Sequence, residues 1–242
     1  LASRPLIFLT SRSVGGDRLG RSHVDSAFNQ MANPTGGFGR STVLAAIEAI
    51  KAGKIVCVTD DESRENEGDL IMAAEFATPE TIAFFIRYTS GVICVSVADE
   101  RLQELNLPPM YQNNEDPKQT AFTVSTDVKH GTTTGISAAD RAATFRALAN
   151  PKSQATDFNR PGHVFPLRPR AGGVLERDGH TEAAIDLAKL AGCLPCGVLA
   201  EVCNDDGSMA RVPDLEPFCK THQLVLTSIA DMIAYRKELG SA

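Results

Sequence analysis

Apolar positions along the chain fall into two arrangements. Short runs rich in Val and Ile, bounded by glycines or polar clusters, read as buried strands; longer stretches with apolar residues every three or four positions read as helices with one buried face. The runs Lys54–Thr59, Leu70–Ala74, Val92–Val97, Ala121–Thr126, Gly197–Cys203 and Leu224–Thr227 predict strands. The helical pattern covers Thr42–Ala52, with Ser41 as cap and Gly53 as close, and then Pro79 to about Ser90, opened by Thr78 and an acid in the first turn. Further helices are expected over Asp99–Leu107, ended by Pro108-Pro109, and from a Ser137–Asp140 capping box to about Asn150. Three more follow, from Gly179-His180 to Ala191, over Leu215–His222, and over Ser228–Leu239 with a second Ser-x-x-Asp box. Two prolines within Arg160–Arg168 exclude a central strand throughout that stretch and place His163 at an exposed turn or strand end.

Both element types intermix to the end of the chain, without a strict β-α-β alternation, an internal repeat or a glycine-rich nucleotide loop. This predicts a single α+β domain over residues 41–242, a mixed β-sheet flanked by helices. Residues 1–40 carry five arginines, only two acids and no convincing period, and are expected to form an irregular N-terminal extension or the remains of an Arg/Ser-rich transit peptide.

Composition narrows the function. The 242 residues are 43% hydrophobic, enough for a substantial core, and no run approaches the roughly eighteen apolar residues of a membrane span, so no membrane partner is expected. With 24 basic against 30 acidic residues the net charge is −6, and tryptophan is absent; a nucleic-acid surface is not expected. Six cysteines scattered through a chain too large to need a disulfide framework point to a reducing compartment, the cytoplasm or alternatively the plastid stroma.

The stretch with the most chemistry is Asp60-Asp61-Glu62-Ser63-Arg64-Glu65-Asn66-Glu67-Gly68-Asp69. Six carboxylates in ten residues repel one another, and Arg64 alone does not neutralise them; a cation or a polyhydroxylated ligand sharing the site would. The apolar strands on either side pin this loop to the core, and Gly68 suggests a tight turn aiming side chains inward. A second candidate is Arg177-Asp178-Gly179-His180-Thr181. An arginine, a histidine and a hydroxyl at a helix N-terminus make an anion site, and His180 shares its helix face with Ala184, Leu187 and Ala191. Glu201 is the one acid in an apolar strand, either facing water or paired in a site. Cys193-x-x-Cys196 and Cys219-x-x-His222 have zinc-like internal spacing, which leaves a zinc-stabilised binding protein as a rival reading.

Arg64-Glu65-Asn66-Glu67-Gly68-Asp69, Thr132-Thr133-Thr134-Gly135-Ile136-Ser137-Ala138-Ala139-Asp140-Arg141, Arg160–Arg168 and Gly179-His180-Thr181-Glu182 together closely resemble the 3,4-dihydroxy-2-butanone 4-phosphate synthase family of riboflavin biosynthesis, over about residues 41–239. The resemblance implies conversion of ribulose 5-phosphate to 3,4-dihydroxy-2-butanone 4-phosphate and formate, with two Mg2+ per site, for which Mn2+ can substitute, in a homodimer. By position it implies metal ligands at Glu65 and His180. Substrate contacts fall at Arg64, Glu65, Asp69, Cys94, Arg177, Asp178, Gly179, His180, Thr181 and Glu201. Residues essential for catalysis fall at His163 and Glu201, with Asp69 and Glu67 joining them in the pool of proton carriers. Another metal-dependent sugar-phosphate isomerase or aldolase would use the same acidic loop without releasing formate.

Overall fold

The computed structural model describes residues 38–240, so residues 1–37 of the expected extension lie outside the described residues. Within them, seven strands form one mixed sheet with the spatial order β4-β5-β3-β6-β2-β1-β7. The strands are β1 (Val56–Thr59), β2 (Gly68–Ala73), β3 (Cys94–Val97), β4 (Thr126–Val128), β5 (Phe158–Leu167), β6 (Cys196–Glu201) and β7 (Val225–Ser228). The β1–β7 and β3–β5 pairs are parallel and the others antiparallel. This is the expected α+β class.

Both faces of the sheet are covered, which is why its central strands read as continuous apolar runs. One core takes Leu70 and Met72 of β2 and Val198 and Ala200 of β6. They pack under α2 (Pro79–Tyr88), α3 (Asp99–Glu104), α4 (Ala138–Ala149) and α6 (Val212–His222). The other takes Ile71 and Ala73 of β2, Leu199 of β6 and Cys94 of β3, under α1 (Arg40–Lys51), α5 (His180–Leu190) and α7 (Ile229–Gly240). Strand alternation then assigns the polar strand ends. Asp69 projects with Ile71 and Ala73, and Glu201 with Leu199, toward the face covered by α1, α5 and α7.

The sequence signals hold where the chemistry is local. Thr78 caps α2 in a capping box with Thr81, and Pro79 occupies the first turn. Ser228 accepts from the amide of Asp231 at 3.1 Å at the start of α7. Four expectations are corrected. The cap of α1 is Gly39, at φ 92°, and Ser41 lies inside the helix, because a glycine adopts this left-handed turn without strain. Ser137 does cap α4, but Asp140 makes no reciprocal bond: its carboxylate instead accepts from Thr133 and Gly135 and ties the preceding loop to the helix. The stretch Ala121–Thr126 is no strand. Phe122 and Thr123 make isolated bridges to Leu167 and Pro109, and the ladder begins only at Thr126.

The fourth correction concerns Arg160–Arg168, which does lie within a strand. β5 pairs with β4 at Phe158, Asn159 and Val164 and with β3 from Phe165 to Leu167; residues 160–163 pair with neither. Pro161 is tolerated there because no ladder bond is asked of it. His163 stays exposed, as expected, in the middle of the strand. The backbone here is crowded: a Cβ on Gly162 would lie 2.1 Å from the Thr126 carbonyl carbon. Gly162→Ala is therefore expected to destabilise at the upper end of the roughly 1–3 kcal/mol of an overpacked site, read as a lower urea midpoint at unchanged slope.

Candidate active site

The acidic loop is built around Asp60. Its carboxylate, with no exposed side-chain surface, accepts from the amides of Glu65 at 3.1 Å and Glu67 at 2.8 Å and from Arg64 Nη1 at 2.9 Å. Asn66 takes the left-handed conformation, φ 55°, that closes the turn. Gly68 does not make that turn as expected. It is the first residue of β2, where a Cβ would meet Leu215 at 2.4 Å, so the glycine admits α6 rather than bending the loop.

α5 brings the imidazole. Gly179 is its N-cap, and a Cβ there would strike Arg177 Nη1 at 2.1 Å, so glycine leaves room for the Arg177–Glu182 ion pair (2.5 Å) across the helix start. His180 is buried, with Nε2 3.1 Å from the Val58 carbonyl. A carbonyl only accepts, so Nε2 carries the hydrogen and Nδ1 of the neutral ring keeps a free lone pair. Burial pushes the imidazole pKa below its usual value, with Arg64 acting in the same direction against the pull of Asp60 and Glu65. Nδ1 points at Asp69 Oδ1 (3.5 Å) and Glu65 Oε2 (3.9 Å).

Asp60, Glu65 and His180 offer one donor atom each, all within 4.8 Å of one another, the one such cluster of three or more among the described residues. The guanidinium of Arg64 bridges the Asp60 and Glu65 carboxylates and marks where positive charge settles between them. Asp69 adds a buried carboxylate beside this cluster. It is 2% exposed and its Oδ1 has no hydrogen-bond partner. Its pKa is raised well above the ordinary 3.8 by burial first, then by Glu201, Glu65, Glu67 and Asp60. Glu67 is raised for the same reasons, partly offset by Arg211. Carboxylate oxygens, one imidazole nitrogen and an orphaned buried oxygen suit hard divalent cations such as Mg2+ or Mn2+.

The remaining candidates are placed unequally. Glu201 faces Asp69 directly across the β2–β6 ladder and accepts from Ser90 Oγ at 2.7 Å. Cys94 lies on the same face, with its thiol pKa pushed up by burial and then by Glu201 and Asp69. Thr181 is buried in the first turn of α5, and Asp178 is exposed with Oδ1 3.7 Å from Arg64 Nε. Arg177, the arginine of the expected anion site, has its guanidinium on Glu182, the Lys118 carbonyl and Thr120.

His163 stands apart from the acidic cluster. Its Nδ1 lies 2.7 Å from Asp127 Oδ2, and its amide donates to Asp127 Oδ1 at 2.8 Å. Asp127 orients this imidazole, and the expectations from sequence missed it. The zinc reading finds no cluster. Cys219 and Cys196 are buried in the core, and the His222 ring packs 4.6 Å from that of Phe218.

A mixed α+β sheet here presents carboxylates from a hairpin loop to an imidazole at a helix start, a donor set that could hold a divalent cation. The family model for 3,4-dihydroxy-2-butanone 4-phosphate synthase matches residues 44–235, and the chain belongs to that family. It is 59% identical over 196 residues to riboflavin biosynthesis protein RibBA of Salinispora arenicola, covering 81% of this chain and 47% of that protein. It is 56% identical over 207 residues to the chloroplastic bifunctional riboflavin biosynthesis protein RIBA 1 of Arabidopsis thaliana, covering 85% of this chain and 38% of that one. The chain thus spans about half or less of the length of these relatives. Among solved structures, a 3,4-dihydroxy-2-butanone 4-phosphate synthase in complex with two magnesium ions superposes with a TM-score of 0.79 at 47% identity, over 81% of this chain and 96% of that one. The Candida albicans enzyme superposes with a TM-score of 0.74 at 49% identity, over 80% and 96%.

Proposed function

We propose that the protein is a metal-dependent lyase that converts D-ribulose 5-phosphate to L-3,4-dihydroxy-2-butanone 4-phosphate and formate. The observation that carries this reading is the convergence of Asp60, Glu65 and His180 Nδ1 beside the orphaned carboxylate of Asp69. Glu65 and His180 hold the divalent cations, and Asp60 contributes a third donor. When bound, the cations polarise the substrate carbonyl and acidify the neighbouring C–H.

The chain's own groups then move protons. Removal of the C1 proton needs a base held off from water. Asp69 suits this, because its environment raises its affinity for the proton it must accept. Glu201, across the ladder, and Glu67, in the loop, offer further oxygens for the protons that shift between adjacent carbons as a hydroxyl leaves, the skeleton rearranges and hydration frees C4 as formate. His163, oriented by Asp127 through Nδ1, keeps Nε2 for a proton transfer at the outer edge of the same sheet face. Arg64, Asp178, Gly179 and Thr181 line the approach to the loop and the start of α5, where free amide groups favour the substrate's phosphate.

A homodimer is the proposed assembly. Ile136 is half-exposed beside the glycine that packs on the His163–Asp127 pair, and suits contact with a second copy. No helix among the described residues is long and apolar enough to cross a membrane. Six free thiols fit a reducing compartment, cytoplasm or plastid stroma, and the plant relatives are chloroplastic. Residues 41–242 form the catalytic domain in this reading.

The test is formate release from ribulose 5-phosphate. It is expected to stop with a chelator and to return with Mg2+ or Mn2+; release of formate undiminished by chelation, or isomerisation without formate, rejects the proposal.

A further inference from the structure

Three consecutive carbonyls of the acidic loop, those of Arg64, Glu65 and Asn66, are met by cationic side chains from distant parts of the chain. Lys118 Nζ donates to the Arg64 carbonyl at 2.7 Å. Arg211 Nη1 donates to the Glu65 carbonyl at 2.6 Å and to that of Asn66, with Glu67 Oε1 3.8 Å away. With its carbonyls held on the outside, the loop presents its amides inward to Asp60 and the side chain of Glu65 to His180. Arg211 is itself fixed. It is the residue that starts α6, its own amide donates to the Asp214 carboxylate at 3.0 Å, and its carbonyl accepts from the Asp214 amide at 2.8 Å. Gly68 lets this helix pack against the base of the loop through Leu215.

We propose that Arg211 is a positioning residue of the cation site: by gripping the Glu65 and Asn66 carbonyls from the start of α6, it sets the loop conformation in which Glu65 faces His180. It touches neither cation nor substrate. The inference rests on the reading of Asp60, Glu65 and His180 as a cation site and adds to it a device outside the cluster. One positive group, placed at two carbonyls and beside one carboxylate, also relieves the crowding of negative charge that would otherwise spread the loop.

The test uses metal-free protein first. Amide hydrogen exchange at Glu65, Asn66 and Glu67, each hydrogen-bonded within the loop, is compared between the wild type and Arg211→Ala, Arg211→Gln and Arg211→Lys. Mn2+ binding to the same proteins is then followed by the EPR signal of the free ion. Loss of the guanidinium is expected to accelerate exchange at these amides at least tenfold while the β2 amide of Ile71 keeps its protection. Mn2+ affinity is expected to fall roughly tenfold or more, in the range seen when groups that orient metal ligands are removed. Arg211→Lys restores part of both, because its ammonium still donates to a carbonyl. Arg211→Gln keeps most of the apolar stem and carries the test if the alanine variant does not fold. Arg40→Ala, which removes an exposed partner of Glu238, leaves both readouts unchanged. Exchange and Mn2+ affinity within twofold of wild type in the Ala and Gln variants would overturn the proposal. A wild type that binds no Mn2+ would remove the cation reading, and the exchange data would still decide for or against Arg211 as the holder of the loop.

Discussion

Replacing His180 with alanine is expected to lower kcat/KM for formate release by at least about 1,000-fold, equivalent to about 4 kcal/mol of transition-state stabilisation. The size follows from what the ring does. Its Nε2–H is spent on the Val58 carbonyl, and burial keeps the ring neutral, so Nδ1 is the one nitrogen in the cluster of donor atoms. Alanine removes that donor and leaves Asp60, Glu65 and Asp69 without an imidazole among them. The fold survives the change, since α5 is anchored by Ala183, Ala184 and Leu187 in the core and by Glu182 and Asp186 through ion pairs. Steady-state assays beside a thermal unfolding curve check it: a small loss of activity, or a loss that tracks unfolding, contradicts the assignment.

Asp69→Asn is expected to separate activity from stability. Activity should fall about 100- to 10,000-fold, the usual range for loss of a general base. The metal-free protein should become more stable, by an amount that grows with pH. The sign follows from linkage. A carboxyl whose folded-state pKa lies above its unfolded value of 3.8 favours folding below that value, where both states are protonated, and the contribution is lost as pH rises through the folded pKa. Asparagine fills the same space without ionising, so the stability curves of wild type and variant should meet under acid conditions and diverge toward neutral pH. Urea unfolding in chelator across that range measures it. Added Mg2+ should reverse the order by stabilising the wild type alone. Parallel curves at all pH values would show that Asp69 carries no such charge burden.

The fold and the site were legible in the sequence to different depths, for physical reasons. Local chemistry reads well. Thr78-Pro79 opens α2 and Ser228 opens α7 because a cap acts over three residues. The acidic loop stands out because six carboxylates between two apolar strands have no inexpensive structural explanation. Groups that act through long-range contacts leave no such mark. Asp127 meets His163 across 36 residues, and Arg211 reaches Glu65 across 146. Arg177 reads as part of an anion site, and its pairing with Glu182 is hidden because that carboxylate is buried beside it only once α5 forms. Ala121–Thr126 alternates like a strand, yet its place beside Leu167 and Pro109 permits only single bridges. In β5 the prolines suggested the end of a strand, where the chain instead leaves four residues without ladder partners.

The most direct test loads the protein with Mn2+ and records its electron spin-echo modulation. The account predicts coupling to one imidazole nitrogen, lost in His180→Ala and retained in His163→Ala; a wild-type spectrum without nitrogen coupling, or a coupling that survives His180→Ala, would contradict it.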